Sequence, residues 1–99
     1  MPKFALYVPL KPKPGKEAEL EEFLKQGAQM AAQETGTVTW YALNEGEGRY
    51  AIFDTFEDEA GREAHLNGPI AKALMARAGE LLDGEVQIYK LAVLATKGN

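Results

Sequence analysis

VTWYALNEGEGRYAIFDTF, residues 38–56, is the most informative stretch of this chain. Two runs rich in aromatic and β-branched residues, 38–43 and 49–56, flank the turn-forming NEGEG at 44–48 and predict a β-hairpin. Side chains alternate along a strand, so Val38, Trp40 and Ala42 point one way and Thr39, Tyr41 and Leu43 the other. Neither face is wholly polar. A sheet that is apolar on both sides needs two coverings, with helices on one and something else on the other.

Upstream, KFALYV (3–8) reads as a strand ended by Pro9. PLKPKPG (9–15) carries too many prolines for a helix and makes a stiff connection. From 16 to 34 the pattern turns helical. Leu20, Phe23, Leu24, Gly27, Met30 and Ala31 recur at spacings of three and four, with acids on the wet side and near the positive end of the dipole. Gly27 is unfavourable inside a helix and so predicts close approach to the sheet. Downstream, EDEAGREAHL (57–66) predicts a short helix that NGP breaks. A second helix over 70–82 follows, with Ile70, Leu74, Met75, Ala78 and Leu81 or Leu82 as its buried stripe. DGEVQIYKLAVLA (83–95) reads as a long last strand. The order β-α-β-β-α-β, with the second helix split, is a ferredoxin-like α+β domain over 1–99. Its antiparallel sheet has helices on one face only, so the other is expected to pack on a second copy as a homodimer, a dimeric α/β barrel.

The chain has 99 residues, room for one small core. Its formal net charge of -4 and scattered basic residues argue against nucleic acid, which needs a continuous basic footprint. With no cysteine there is no disulfide, thiolate nucleophile or thiolate metal site. MPKFALYVPL is too short for a signal peptide and no apolar run approaches a membrane span, so the expectation is a cytoplasmic protein. EGEG lacks the strand-to-helix setting and spacing of a phosphate loop, and no nucleotide or other cofactor is expected.

His65 is the only histidine. It could exchange a proton near neutral pH at a pocket wall, or simply end a helix by bonding a backbone carbonyl. One histidine without cysteine or a tight carboxylate cluster is a poor metal site. Asp54 interrupts an otherwise apolar strand and must be paired if it faces the core. His65 is the attractive partner, with Arg49 and Arg62 as alternatives. Trp40, Tyr50, Phe53 and Phe56 could line a flat cavity for an aromatic ring, or serve as core and dimer seam. Lys11 and Lys13 could attract an anion to the mouth of such a cavity or form a solvated loop.

KPGKEAELEEFL, then TG, then GRYAIFDTFEDEAGREAHLNGP, together resemble the antibiotic biosynthesis monooxygenase domain family along nearly the whole chain. The resemblance implies a small dimeric α/β barrel that oxidises a quinol, a polycyclic phenol or haem with O₂, without a separate flavin or metal. It places His65 at the family's recurrent histidine, Asp54 where Glu is usual and Phe56 where Trp is usual. Trp40 falls on a strand that often carries an aromatic or basic residue, and Ile70 where a second histidine or aromatic often follows. The implied function is quinol or phenol oxidation, with His65 and Asp54 handling the proton and the four aromatics shaping the cavity. The alternatives are a non-enzymatic homodimer that binds an apolar small molecule, and a haem-binding or haem-degrading protein. The carry-over rests on the PGK entry, the spacing of Asp54 and Phe56, and the AHL run.

Overall fold

A computed structural model describes residues 1–98. The elements run β1 (Phe4–Leu10), α1 (Glu17–Ala31), β2 (Thr37–Gly46), β3 (Arg49–Phe56), α2 (Glu59–Leu66), α3 (Pro69–Leu81) and β4 (Tyr89–Ala92). The strands form one antiparallel sheet in the order β2-β3-β1-β4. This is the ferredoxin-like arrangement, with the second helix broken at Asn67–Gly68. Asp58 caps α2 by accepting from the Gly61 N–H (2.7 Å), and Pro69 opens α3 at a position that needs no donor.

Even-numbered residues of β1 and β3 face the helices. Leu6, Val8, Leu10, Tyr50 and Ile52 pack there under Leu20, Phe23 and Leu24 of α1 and Leu74 and Leu81 of α3. Each buried large apolar side chain contributes about 1.5–3 kcal/mol, which is why the two periodicities govern the fold. Gly27 lies against the Trp40 indole, and a Cβ there would meet that ring at 3.2 Å. The close helix–sheet approach expected from its sequence is therefore present.

Several boundaries differ from expectation, among them β2, which runs to Gly46 into the segment 44–48 expected to be the turn. Helix α1 stops at Ala31 and leaves Glu34 in the connection to β2. β1 continues through Pro9, whereas β4 is only four residues long. One cause accounts for the run of β1 through Pro9 and for the late start of β4. The Val93 N–H donates to Lys3 O (2.9 Å), so alternation points the polar groups of residues 5, 7 and 9 toward β4. Pro9 has no N–H to give on that side, and the β1–β4 ladder stops at Tyr7–Tyr89. Toward β3 no such donor is required, and pairing runs on to Leu10–Tyr50. Met75 leaves the expected buried stripe and is 58% exposed.

The opposite sheet face carries Tyr7, Tyr41, Leu43, Phe53, Tyr89 and Leu91, with no helix over it. Among the described residues, no helix is long and apolar enough to cross a membrane.

Candidate active site

Three elements bring three ionisable groups together. β3 carries Asp54 on its helix-facing side, α2 sets His65 above it, and the connection after α1 delivers Glu34. His65 Nε2 lies 2.9 Å from Asp54 Oδ2, and Nδ1 lies 2.7 Å from Glu34 Oε1. The imidazole thus bridges two carboxylates. The Glu34 contact is a well-formed hydrogen bond, and the same oxygen accepts from the Thr37 hydroxyl at 2.6 Å. The Asp54 contact is close but poorly aligned, and neither Asp54 oxygen has a well-directed donor among the described residues. Phe56 packs tilted against the ring, centroid to centroid 5.5 Å.

Two glycines permit this convergence. A Cβ on Gly61 would come within 2.8 Å of the Gly36 carbonyl oxygen, and one on Gly36 within 3.1 Å of the Gly61 Cα. Backbone meets backbone there, so the Glu34 connection can press directly onto α2.

Burial opposes charge on His65, yet the Asp54 and Glu34 carboxylates outweigh it and hold the imidazole above its ordinary value. Burial pushes the fully enclosed Asp54 carboxyl above the usual carboxylate range, against the pull of His65. Both groups thus hold a proton to higher pH than they would in water.

One side of His65 faces an apolar cavity of about 490 Å³ between the sheet and α3. Leu6, Val8 and Ile52 form its floor, Leu66, Ile70 and Leu74 its helical wall, and Met75 and Ile88 its mouth. Lys72 is the only other charged residue of that lining. The size lies within the range of small-molecule sites, and the mix of apolar wall and one ionisable ring is typical of them.

The expected site residues are distributed differently from the sequence reading. Asp54 and His65 do meet, and neither Arg49 nor Arg62 replaces His65. Arg62 instead lies over the Phe4 ring and donates to Ala5 O and Leu91 O, tying α2 to the sheet. None of Trp40, Tyr50, Phe53 and Phe56 lines the large cavity. Trp40 is taken up by Gly27, the Tyr50 hydroxyl by Glu21, and Phe56 lies sealed beneath His65. Phe53 is on the opposite sheet face. Aliphatic side chains from alternate strand positions and α3 form the wall in their place. Lys11 pairs with Asp83 and Lys13 with the Gly79 carbonyl, away from the mouth. Glu34 was missed by the sequence reading. Its signal was an acid at the C-terminal end of a helix, where the dipole disfavours one, so that a specific cationic partner was called for.

Fold and site define a class: a ferredoxin-like α+β protein with an apolar cleft between sheet and helices and a buried histidine on its wall. The sequence pattern of the antibiotic biosynthesis monooxygenase family matches residues 4–77, and the chain belongs to that family. A protein of unknown function from Nitrosomonas europaea is similar at 49% identity, covering 100% of this chain and 96% of its own, with a TM-score of 0.96. A Mycobacterium tuberculosis protein shares the fold at 21% identity, 97% and 99% coverage and a TM-score of 0.86. One from Pseudomonas aeruginosa does so at 21% identity, 96% and 97% coverage and a TM-score of 0.79. No curated protein matches the chain.

Proposed function

We propose that this protein is a cofactor-independent monooxygenase that oxidises a quinol or polycyclic phenol with O₂, as a homodimer joined through the open sheet face. The observation that carries this reading is the His65 ring, held between two carboxylates, on the wall of a cavity otherwise almost wholly apolar. An electron-rich phenol reacts with O₂ only as its anion. The protein's part is to remove the phenolic proton, hold the ring and exclude water. The poorly aligned Nε2–Asp54 contact is the one that yields: as it opens, Nε2 accepts the proton and Asp54 steadies the resulting charge. The substrate then supplies all four electrons. One oxygen atom enters the ring, which becomes a quinone, and the other leaves as water.

One observation favours the alternative of a binding protein without turnover, since in the resting fold both ring nitrogens are already engaged. The same fact weighs against haem, because each nitrogen of the only histidine faces a carboxylate that iron would have to displace. Oxygen uptake and product formation against a panel of hydroquinones and anthrones separate the readings. Turnover by wild type, reduced by about 10²–10⁴-fold in His65→Gln, is expected. Saturable binding of the panel without oxygen uptake identifies the binding protein instead.

A further inference from the structure

We propose that Glu34 is the proton port of this site, exchanging the substrate's proton with solvent through His65 on the side away from the substrate. The inference rests on the monooxygenase reading above and adds a residue and a route to it.

Behind the ring lies a second cleft of about 270 Å³, lined by Glu34, Thr37, Gly61, Ala64 and Gly68 as well as His65. Among the described residues, His65 is the one side chain common to this cleft and the apolar cavity. The two openings thus meet at a single imidazole, whose two nitrogens point to different carboxylates. Those carboxylates are not equivalent. The Asp54 side chain is 1% exposed, so a proton placed on it can only return to the ring. The Glu34 side chain is 16% exposed and lines the second cleft; its Oε2 is enclosed and has no partner among the described residues, whereas Oε1 is fixed by Thr37 and His65. The large cavity has no carboxylate in its wall, and a bound ring displaces water from it, which leaves His65 as the base in that wall.

The steps balance. As the substrate O–H breaks, an N–H forms at Nε2. The Nδ1–H bond then breaks as an O–H forms at Glu34 Oε1, and Glu34 exchanges that proton with water in the cleft. When the O–O bond breaks, the oxygenated carbon loses its hydrogen as a proton and becomes the carbonyl; that proton and the one on Nε2 join the departing oxygen as water, while a proton returns from Glu34 to Nδ1. The ring regains its starting tautomer, and no net proton is consumed. Glu34 acts through His65 and is a positioning and relay residue.

Because the chain has one histidine, ¹⁵N-labelled protein gives one pair of imidazole nitrogen signals, and exchange of the Nδ1–H with water can be read directly. With Glu34→Gln, which keeps an acceptor but takes up no proton, exchange is expected to slow by about tenfold or more, equivalent to about 1.4 kcal/mol in a barrier. A merely structural bond predicts the reverse, since loss of the carboxylate frees the N–H to water. Unchanged or faster exchange therefore overturns the port. Should Glu34→Gln not fold, Glu34→Met removes the same carboxylate, and the same directions decide. In turnover, Glu34→Gln should lower kcat with KM little changed and enlarge the solvent isotope effect. Wild-type kcat in this variant, with His65→Gln inactive, overturns the port and leaves the monooxygenase standing. No turnover by wild type removes the monooxygenase, and the exchange measurement still decides the port.

Discussion

His65 is where stability and proposed chemistry meet. Removing one partner from a buried ionic cluster costs about 3–5 kcal/mol, because the charge left behind stays buried and unpaired. His65→Ala should therefore lose about that much near neutral pH, and less in acid, where the enclosed Asp54 takes up a proton. The pH dependence has a definite sign. The folded ring titrates above its ordinary value of 6.5, so the native state binds more protons than the unfolded chain there. This stabilisation is complete below 6.5 and disappears as pH rises through the folded-state value. The elevated Asp54 carboxyl acts in the same direction, its contribution fading from 3.8 upward. Urea midpoints measured across this range should fall toward alkaline pH in wild type, and His65→Gln should flatten the part above 6.5. Parallel profiles for the two proteins would mean that the ring does not carry the charge assigned to it.

Between elements, the decisive contact is glycine against glycine. Gly61→Ala places a methyl group on the Gly36 carbonyl, which is backbone and cannot rotate away. Overpacking of this kind costs about 1–3 kcal/mol, and the shift of α2 should also lengthen the Glu34–His65 bond. The control is Gly79, inside α3, where an added methyl group would meet nothing within 4 Å. Gly79→Ala should stabilise by about 0.4–1 kcal/mol through the unfolded chain. Thermal unfolding of both, with the His65 imidazole shift followed by NMR, checks the pair, and similar changes in the two variants would refute the contact argument. This contact also shows what could be read from the sequence. The helix stripes, the hairpin and the Asp54–His65 pairing were legible because each depends on local period or on a polar residue stranded in an apolar run. The Gly36–Gly61 contact and the place of Glu34 depend on how the connection after α1 docks on α2, which no local pattern encodes. The aromatics misled for a related reason. Trp40 and Tyr50 were absorbed by partners on α1, Gly27 and Glu21, whereas aliphatic residues of β1, β3 and α3 were left to form the cavity wall.

The molecule as a whole has one covered and one open sheet face, and the open one bears directly on assembly. Tyr41, Leu43, Tyr89 and Leu91 are each between 39% and 52% exposed there, in register across all four strands with Tyr7 and Phe53 between them. A contiguous patch of this kind marks an interface, and a self-complementary pairing of two sheets is the arrangement that buries it completely. The chain should therefore sediment at twice its 10.8 kDa mass. Tyr41→Lys combined with Leu91→Lys puts like charges on both outer strands of both copies and should shift the protein to monomer, readable by analytical ultracentrifugation. The cavity beside His65 lies on the other side of the sheet, so the monomeric variant should keep its fold, its His65 imidazole signal and its binding of an aromatic ligand. Two results would count against this division of faces: a wild type that is monomeric at micromolar concentration, or a variant that stays dimeric. Loss of ligand binding in a folded monomer would carry a different message. It would mean that the second copy helps to shape the cavity, and that assembly and proposed catalysis cannot be assigned to separate faces.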